Sequence, residues 1–319
     1  MMKDNKLVSV IVLCYRRFDE IFSTLGSIFI QSYPEIELII SDDGSDNWYD
    51  VSERIGDYVN RNRTNNIKKV LIKHFDENVG TSRHVNNALK LCNGEYIKLL
   101  PPGDEFYDEN VISEAIRILE NEKTRILVGQ TYLKRKNPPF ILDDVKENIL
   151  YRWKSRSGRM CNLSPPTKDI LYMKSLSSQK ANMIISSRCF ISTISVFFKK
   201  ELLDETNGFP TQYRLIEDVP FWPQLALNNE KFSFGNLVMI KYALDGISNS
   251  YDGDSEFSKD LREIVEEKYI PNEYRGIVIR ALRKCELRYY KGEIGAKSLI
   301  GMLYVIQKKF KYLFFGSKL

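Results

Sequence analysis

Three pairs of adjacent carboxylates carry most of the chemistry this chain offers: Asp42-Asp43, Asp104-Glu105 and Glu217-Asp218. Asp104 and Glu105 come straight after Tyr96, Ile97, Leu99 and Leu100, a short apolar run that reads as a strand. That strand must stop at Pro101-Pro102-Gly103, because neither proline donates to a ladder and the glycine permits a turn. Acids delivered onto a tight loop at a sheet edge suit a divalent cation. Hard carboxylate oxygens favour Mg²⁺ or Mn²⁺, ions that usually share their shell with substrate phosphates. The same residues also fit a solvated turn before a helix beginning near Asp108. Asp42-Asp43-Gly44-Ser45 follows the apolar run Ile36 to Ile40, and Tyr15-Arg16-Arg17 follows another from Leu7 to Cys14. A carboxylate accepts from the N3–H of a uracil ring, and a tyrosine offers a stacking face, so this acid and aromatic can hold a nucleotide. Asp218 falls near a helix start, where the dipole and free N–H groups stabilise its anion. A plain N-cap would sit there equally well.

These residues need a scaffold, and the chain spells one out. Leu7 to Cys14 is almost continuously apolar and β-branched, the pattern of a strand buried on both faces of a parallel sheet. Apolar residues then recur at helical spacing from Phe18 to Gln31. A second strand is expected at Ile36–Ile40, a helix through Val51, Ile55, Tyr58 and Val59, and a third strand at Val70–Phe75. A turn at Asn78-Val79-Gly80 leads into a helix over Thr81–Leu91. After the strand at Tyr96–Leu100 come a helix from about Asn110 to Asn121 and a strand at Arg125–Val128. Five alternations of strand and helix predict a doubly wound α/β sheet. Ligands in such sheets bind beyond the carboxyl ends of the strands, near the reversal of strand order. Tyr15, Asp42-Asp43 and Asp104-Glu105 all fall at such ends. No GxGxxG follows the first strand and no GxxxxGK[ST] occurs, which disfavours a dinucleotide fold and a P-loop.

Residues 130–190 are rich in Lys, Ser, Asn and Pro with weak periodicity, and read as an irregular excursion of the kind that forms binding or lid loops. Cys189–Phe198 reads as a strand and Glu201–Asp204 as a short helix stopped by Asn207-Gly208. The helix after Glu217-Asp218 presents Phe221, Leu225 and Leu227. Leu237–Tyr242 is a further strand, leading to Asp245. From about Glu256 the chain reads as helical, including Pro271–Leu287 and Gly295–Phe315. Its last segment has no acid after Glu293 but carries lysines at 297, 308, 309, 311 and 318. Lysines among aromatic residues suit an anionic membrane surface, or equally the solvated edge of a helix packed on the domain.

Composition narrows the class. The 319 residues are 43% hydrophobic and 28% charged, which is globular. A net charge of +5 without a concentrated patch argues against nucleic acid. Five cysteines, none in a CxxC, point to a reduced cytoplasmic setting and away from zinc. The N-terminal apolar run is too short for a signal peptide, and no run approaches the roughly 20 residues a bilayer needs.

Four segments in order, VSVIVLCYRR, IELIISDDGSDN, ENVGTSRHVNNALKLCNGEYI and GFPTQYRLIEDVPFW, resemble the family 2 glycosyltransferases. The resemblance spans roughly Val8 to Ser248. It implies a GT-A fold, a Rossmann-like mixed sheet flanked by helices, over residues 1–250, with residues 251–319 as a helical C-terminal extension. It implies an inverting transfer of a sugar from a nucleotide-diphosphate donor, usually a UDP-sugar, to a glycan or lipid-linked acceptor in surface polysaccharide synthesis; the basic tail adds a place at the inner face of a membrane. Carried across, Leu13 and Tyr15 border the base, and Asp43 accepts from it, with Asp42 as the alternative. Arg83 meets the pyrophosphate, Asp104 holds Mn²⁺ or Mg²⁺, and Asp218 is the general base with Glu217 beside it. The family often has two aspartates where this chain has Asp104-Glu105, and a histidine where Asp245 stands. Asp245 is a further candidate ligand, or a turn residue. A non-catalytic module of the same fold that binds a nucleotide sugar or glycan is the alternative reading.

Overall fold

The computed structural model describes residues 5–134, 163–165, 167–187, 191–243 and 256–266. Strands β1 (Val8–Cys14), β2 (Ile36–Asp42), β3 (Ile67–His74) and β4 (Tyr96–Leu100) lie parallel. Side chains along β1 alternate between two cores. Val8, Val10 and Val12 face helices α1 (Ile21–Phe29), α2 (Trp48–Asn62) and α4 (Val111–Glu122). Ile11 faces α3 (Thr81–Leu89) on the other side. Full burial is worth about 1.5–3 kcal/mol per large aliphatic side chain, so a one-residue slip of this strand is strongly disfavoured. β2 and β3 stack outward on one side of β1 and β4 lies on the other. Strand order therefore reverses between β1 and β4, where the doubly wound expectation puts a ligand crevice.

Beyond β4 the sheet is mixed. Strand β8 (Val196–Lys199) runs antiparallel to β4, and β6 (Ile126–Lys134) antiparallel to β8. Strand β9 (Phe232–Ala243) runs parallel to β6, and the two-residue β5 (Glu105–Phe106) antiparallel to β9. The short β7 (Leu163–Ser164) adds to β6. Alternation alone describes only the parallel half; the mixed sheet flanked by helices expected from the family resemblance describes the whole.

Several boundaries differ from the sequence reading. The strand expected over Cys189–Phe198 is cut down to β8, because Thr193–Ser195 forms a 3-10 turn first; residues 188–190 lie outside the described set. Part of the 130–190 stretch is regular: β6 runs on to Lys134, and residues 167–187 fold into α5 (Thr167–Ser175) and α6 (Ser178–Ser187). Their Ile170, Met173, Ala181 and Ile185 enter the second core. β9 starts at Phe232 rather than Leu237, since buried Phe232 and Phe234 precede the turn-like Gly235-Asn236.

Helix α7 (Lys200–Thr206) ends at Asn207 in the left-handed region, as the Asn-Gly pair suggests. Helix α8 (Asp218–Leu227) buries Phe221, Trp222, Leu225 and Ala226. Leu227 is 36% exposed, because it is two residues beyond Leu225 and so on the opposite face. Helix α9 (Glu256–Glu266) buries Ile264 against Tyr213 and Ile216. The helices expected at Pro271–Leu287 and Gly295–Phe315, with their lysines, lie outside the described residues, as does Asp245. Among the described residues no helix is long and apolar enough to cross a membrane.

Candidate active site

The carboxyl ends of β1, β2 and β4 meet at one edge, with Cys14 level with Asp42 and Val12 with Leu100. Asp42 builds the turn that follows β2. Its Oδ2 accepts from the Ser45 N–H at 2.9 Å and lies 2.7 Å from His74 Nδ1, while its Oδ1 accepts from the Ser45 hydroxyl at 2.6 Å. The Arg16 N–H donates to the same Ser45 hydroxyl at 2.8 Å, and Arg16 takes a φ of 58°. Gly44 is required by space as well as by its φ of 73°, because a Cβ there would lie 2.5 Å from the Glu77 carbonyl carbon.

Asp43 reaches across instead. Its oxygens accept from the Val79 and Gly80 N–H groups at 3.2 and 3.0 Å, at the N-terminus of α3. Both aspartates are buried. His84, one turn into α3, sits 2.8 Å from the Ser41 hydroxyl. Burial pushes its imidazole below the usual range, while the charges of Asp43 and Asp42 pull the other way.

Tyr15 is 37% exposed, and the Arg16 guanidinium lies 5.1 Å from its ring centre. Leu13 is partly buried against the second core. Arg83 stands exposed on α3.

The loop after β4 is held from α1. The Thr24 hydroxyl accepts the Gly103 N–H at 2.9 Å, and the Ser27 hydroxyl the Phe106 N–H at 3.0 Å. Asp104 is 1% exposed and its Oδ1 accepts from the Ala243 N–H at 2.8 Å. Glu105 is partly buried and pairs in register with Lys241. Among the described residues no three His, Cys, Asp or Glu side chains gather to hold an ion. One carboxylate with an acidic neighbour fits a cation that takes its remaining ligands from substrate phosphates and water.

Beneath that loop lies Lys98, a lysine with no exposed surface in the middle of β4. Its ammonium donates to the Ile194 carbonyl and sits 5.3 Å from the Phe197 ring centre. Burial pushes it down to about 7, against the attraction of Asp104. The sequence reading passed over this residue. A lysine inside an otherwise apolar strand was the available signal.

The Glu217-Asp218 pair begins α8. Glu217 takes the cap position without a side-chain capping bond, and Asp218 is the first helical residue. The Thr193 N–H donates to Asp218. The Thr193 hydroxyl lies close to the Glu217 carboxyl, outside hydrogen-bond geometry. Burial raises the affinity of both acids for a proton, and the charge of Asp218 raises Glu217 further. Both keep part of their surface exposed, which tempers the shift without changing its direction. Burial and the charge of Asp218 thus favour keeping a proton on Glu217.

The acid pair is also joined to the start of α3. The Ser82 N–H donates to the Arg214 carbonyl at 3.2 Å, and the Arg214 guanidinium donates to Asn78. Gly80 has a φ of 85°, and a Cβ there would stand 2.4 Å from Arg214 Cγ. The segment leading to the acids therefore lies directly on the N-terminus that Asp43 grips. Lys98, Thr193, Arg214 and His74 join the arrangement without having been singled out in the sequence.

Relatives bear on this geometry. A β-1,3-glucosyltransferase of Escherichia coli, WfaP, named for UDP-Glc and α-D-GlcNAc-diphosphoundecaprenol, is 33% identical over 131 residues, 41% of this chain and 48% of its own length. The chain thus spans about half the length of that relative. A processive diacylglycerol β-glycosyltransferase of Mycoplasma genitalium is 21% identical over 91% of this chain and 80% of its own. Among solved structures, Staphylococcus aureus TarS with UDP-GlcNAc superposes with a TM-score of 0.57 at 17% identity, over 92% of this chain and 74% of its own. The mannosyltransferase PcManGT of Pyrobaculum calidifontis, with GDP-Man and Mn²⁺, also gives 0.57, at 15% identity over 97% and 81%. These neighbours share the mixed, helix-flanked GT-A sheet. The model of "Glycosyl transferase family 2" matches residues 9–172, just over half of the 319, and the chain belongs to that family of glycosyltransferases.

Proposed function

We propose that this glycosyltransferase is an inverting enzyme that moves a sugar from a UDP-sugar to a hydroxyl of a glycan or lipid-linked acceptor in surface polysaccharide synthesis. The observation that carries the reading is the linkage of three carboxylate stations. Asp43 grips the start of α3, Asp218 follows the segment lying on that start, and Lys98, on the strand that leads to Asp104, reaches the turn that holds Asp218.

In this reading Tyr15 stacks on the base, Leu13 borders it, and Asp43 accepts from the ring N–H while Asp42 keeps the turn in shape. Arg83 is the pyrophosphate candidate. Asp104, with Glu105 and Asp245 as further candidates, holds Mn²⁺ or Mg²⁺. A bound divalent cation would neutralise charge on the leaving diphosphate. Asp218 takes the acceptor hydroxyl proton as that oxygen bonds to the anomeric carbon and the carbon–phosphate oxygen bond breaks on the opposite face, inverting the centre. With Glu217 pushed toward its protonated form by burial and by the charge of Asp218, the repulsion on the Asp218 anion is reduced.

The lipid-linked acceptor draws support from the names of WfaP and the diacylglycerol enzyme. The UDP donor draws it from the TarS complex. Work at an anionic membrane surface, by a protein peripheral to the inner face, belongs to the same reading. The test is a thermal-shift screen of UDP-sugars and GDP-mannose with Mn²⁺, followed by release of nucleoside diphosphate in the presence of a polyprenyl-diphosphate sugar. A donor that binds and is never consumed would leave a binding module. A preference for the guanosine donor would overturn the uridine assignment.

A further inference from the structure

Helix α9 lies beyond the part of the chain matched by the family model, yet it grips the segment that delivers the acid pair. Asp260, itself buried, accepts the Leu215 N–H through Oδ2 at 2.6 Å. Glu256 lies 3.5 Å from the Arg214 guanidinium. Ile264 closes a small apolar cluster with Tyr213 and Ile216, and Phe257 and Val219 pack on its rim. Residues 213–216 are thus held on one side by the α3 N-terminus and on the other by α9, and Glu217-Asp218 follows without a break.

We infer that Asp260 is a positioning residue for the reaction: by fixing the Leu215 N–H it sets where the Asp218 carboxylate stands relative to the acceptor hydroxyl. This rests on Asp218 being the base. The contact uses one lone pair of one carboxylate oxygen, so an amide oxygen can replace it, whereas a methyl group cannot. A misplacement of about 1 Å at a reacting group costs on the order of a hundredfold in rate. A loosened but present loop should therefore lose on the order of tenfold in kcat. In the proposed reading the donor sits on groups at the ends of β1, β2 and β4 and on Arg83 of α3, outside the 213–216 segment, so donor binding should hold.

The experiment measures kcat and donor KM for the full chain, for Asp260→Ala and for Asp260→Asn, with each melting temperature recorded. The expected result is a kcat about tenfold lower in D260A, donor KM within about twofold, and recovery to near the parent value in D260N. Should D260A fail to fold, D260S takes its place. An unchanged kcat in D260A, an equal loss in D260N, or a rise in donor KM matching the loss in kcat would each overturn the inference. If the parent chain itself releases no nucleoside diphosphate, the reading of function fails, and that result is distinct from any of these three.

Discussion

The Lys98 ammonium donates to the Ile194 carbonyl from the centre of a strand whose every residue is buried. One end of this lysine belongs to the strand that leads to Asp104. The other secures the turn whose neighbouring N–H, that of Thr193, bonds Asp218. The bond therefore ties the strand that leads to Asp104 to the turn beside Asp218 through the interior of the sheet.

Lys98→Met keeps the stem and removes the donor. The Ile194 carbonyl then loses its strong bond, a penalty of about 1–3 kcal/mol when a buried acceptor is orphaned. Relief of the buried ammonium offsets part of it. We expect a small change in melting temperature and a kcat roughly tenfold lower through loss of alignment, with donor KM unchanged. Steady-state kinetics beside differential scanning calorimetry make the comparison; normal kcat would remove Lys98 from the alignment of the site.

Asp42 and Asp43 should fail in different ways when cut to alanine. Asp42 holds Ser45 and His74, so D42A should lose roughly 3 kcal/mol of stability in urea titration. Asp43 is the proposed contact to the base, so D43A should weaken donor affinity about tenfold or more, read as loss of the donor-induced melting shift. The reverse pattern would exchange their roles.

The acid pair sets a pH dependence. Asp218, raised to about 6, works as a base only when ionised, so kcat should climb as pH rises through about 6. Asp218→Asn should abolish turnover and leave donor binding intact. For stability the sign is opposite. Both acids bind a proton more tightly folded than unfolded, so stability falls as pH rises from their ordinary values of 3.8 and 4.5 through about 6 and 8. Glu217→Gln should therefore melt higher than the parent at pH 8.5 and level with it at pH 4. Parallel melting curves across that range would exclude the raised affinity of Glu217.

Gly80→Ala tests the contact between the α3 start that Asp43 grips and the acid segment. Gly80 has φ 85° and ψ 162°, a region essentially reserved for glycine, where a side chain costs about 1–3 kcal/mol. The added methyl also meets Arg214. We expect lower stability with losses in both donor affinity and kcat, because the residue touches both stations. Isothermal titration and turnover assays read the two; an effect on one alone would mean that the stations are independent.

The parallel half of this fold was legible because its strands are buried on both faces. Val8, Val10, Ile11 and Val12 leave no periodicity to misread, and the Pro101-Pro102 stop marks the loop end. The antiparallel half was not. β8 has four residues and β5 two, too short for a pattern, and α5 and α6 lie in polar sequence with only one or two core residues per turn. The carboxylate pairs were visible as acids at strand or helix ends. What holds them was not visible: Lys98, Thr193, Arg214 and Asp260 act through backbone groups of residues distant in sequence, and only the folded chain brings those together.

The indole of Trp48 lies face to face with the His74 imidazole, 5.5 Å between centres and 7° from parallel, and that imidazole is the one bound to Asp42. In the proposed reading the nucleobase lies against the Asp42 turn, so a donor seated there would alter the surroundings of the Trp48 indole, and its emission would serve as a native readout of occupancy without an attached dye.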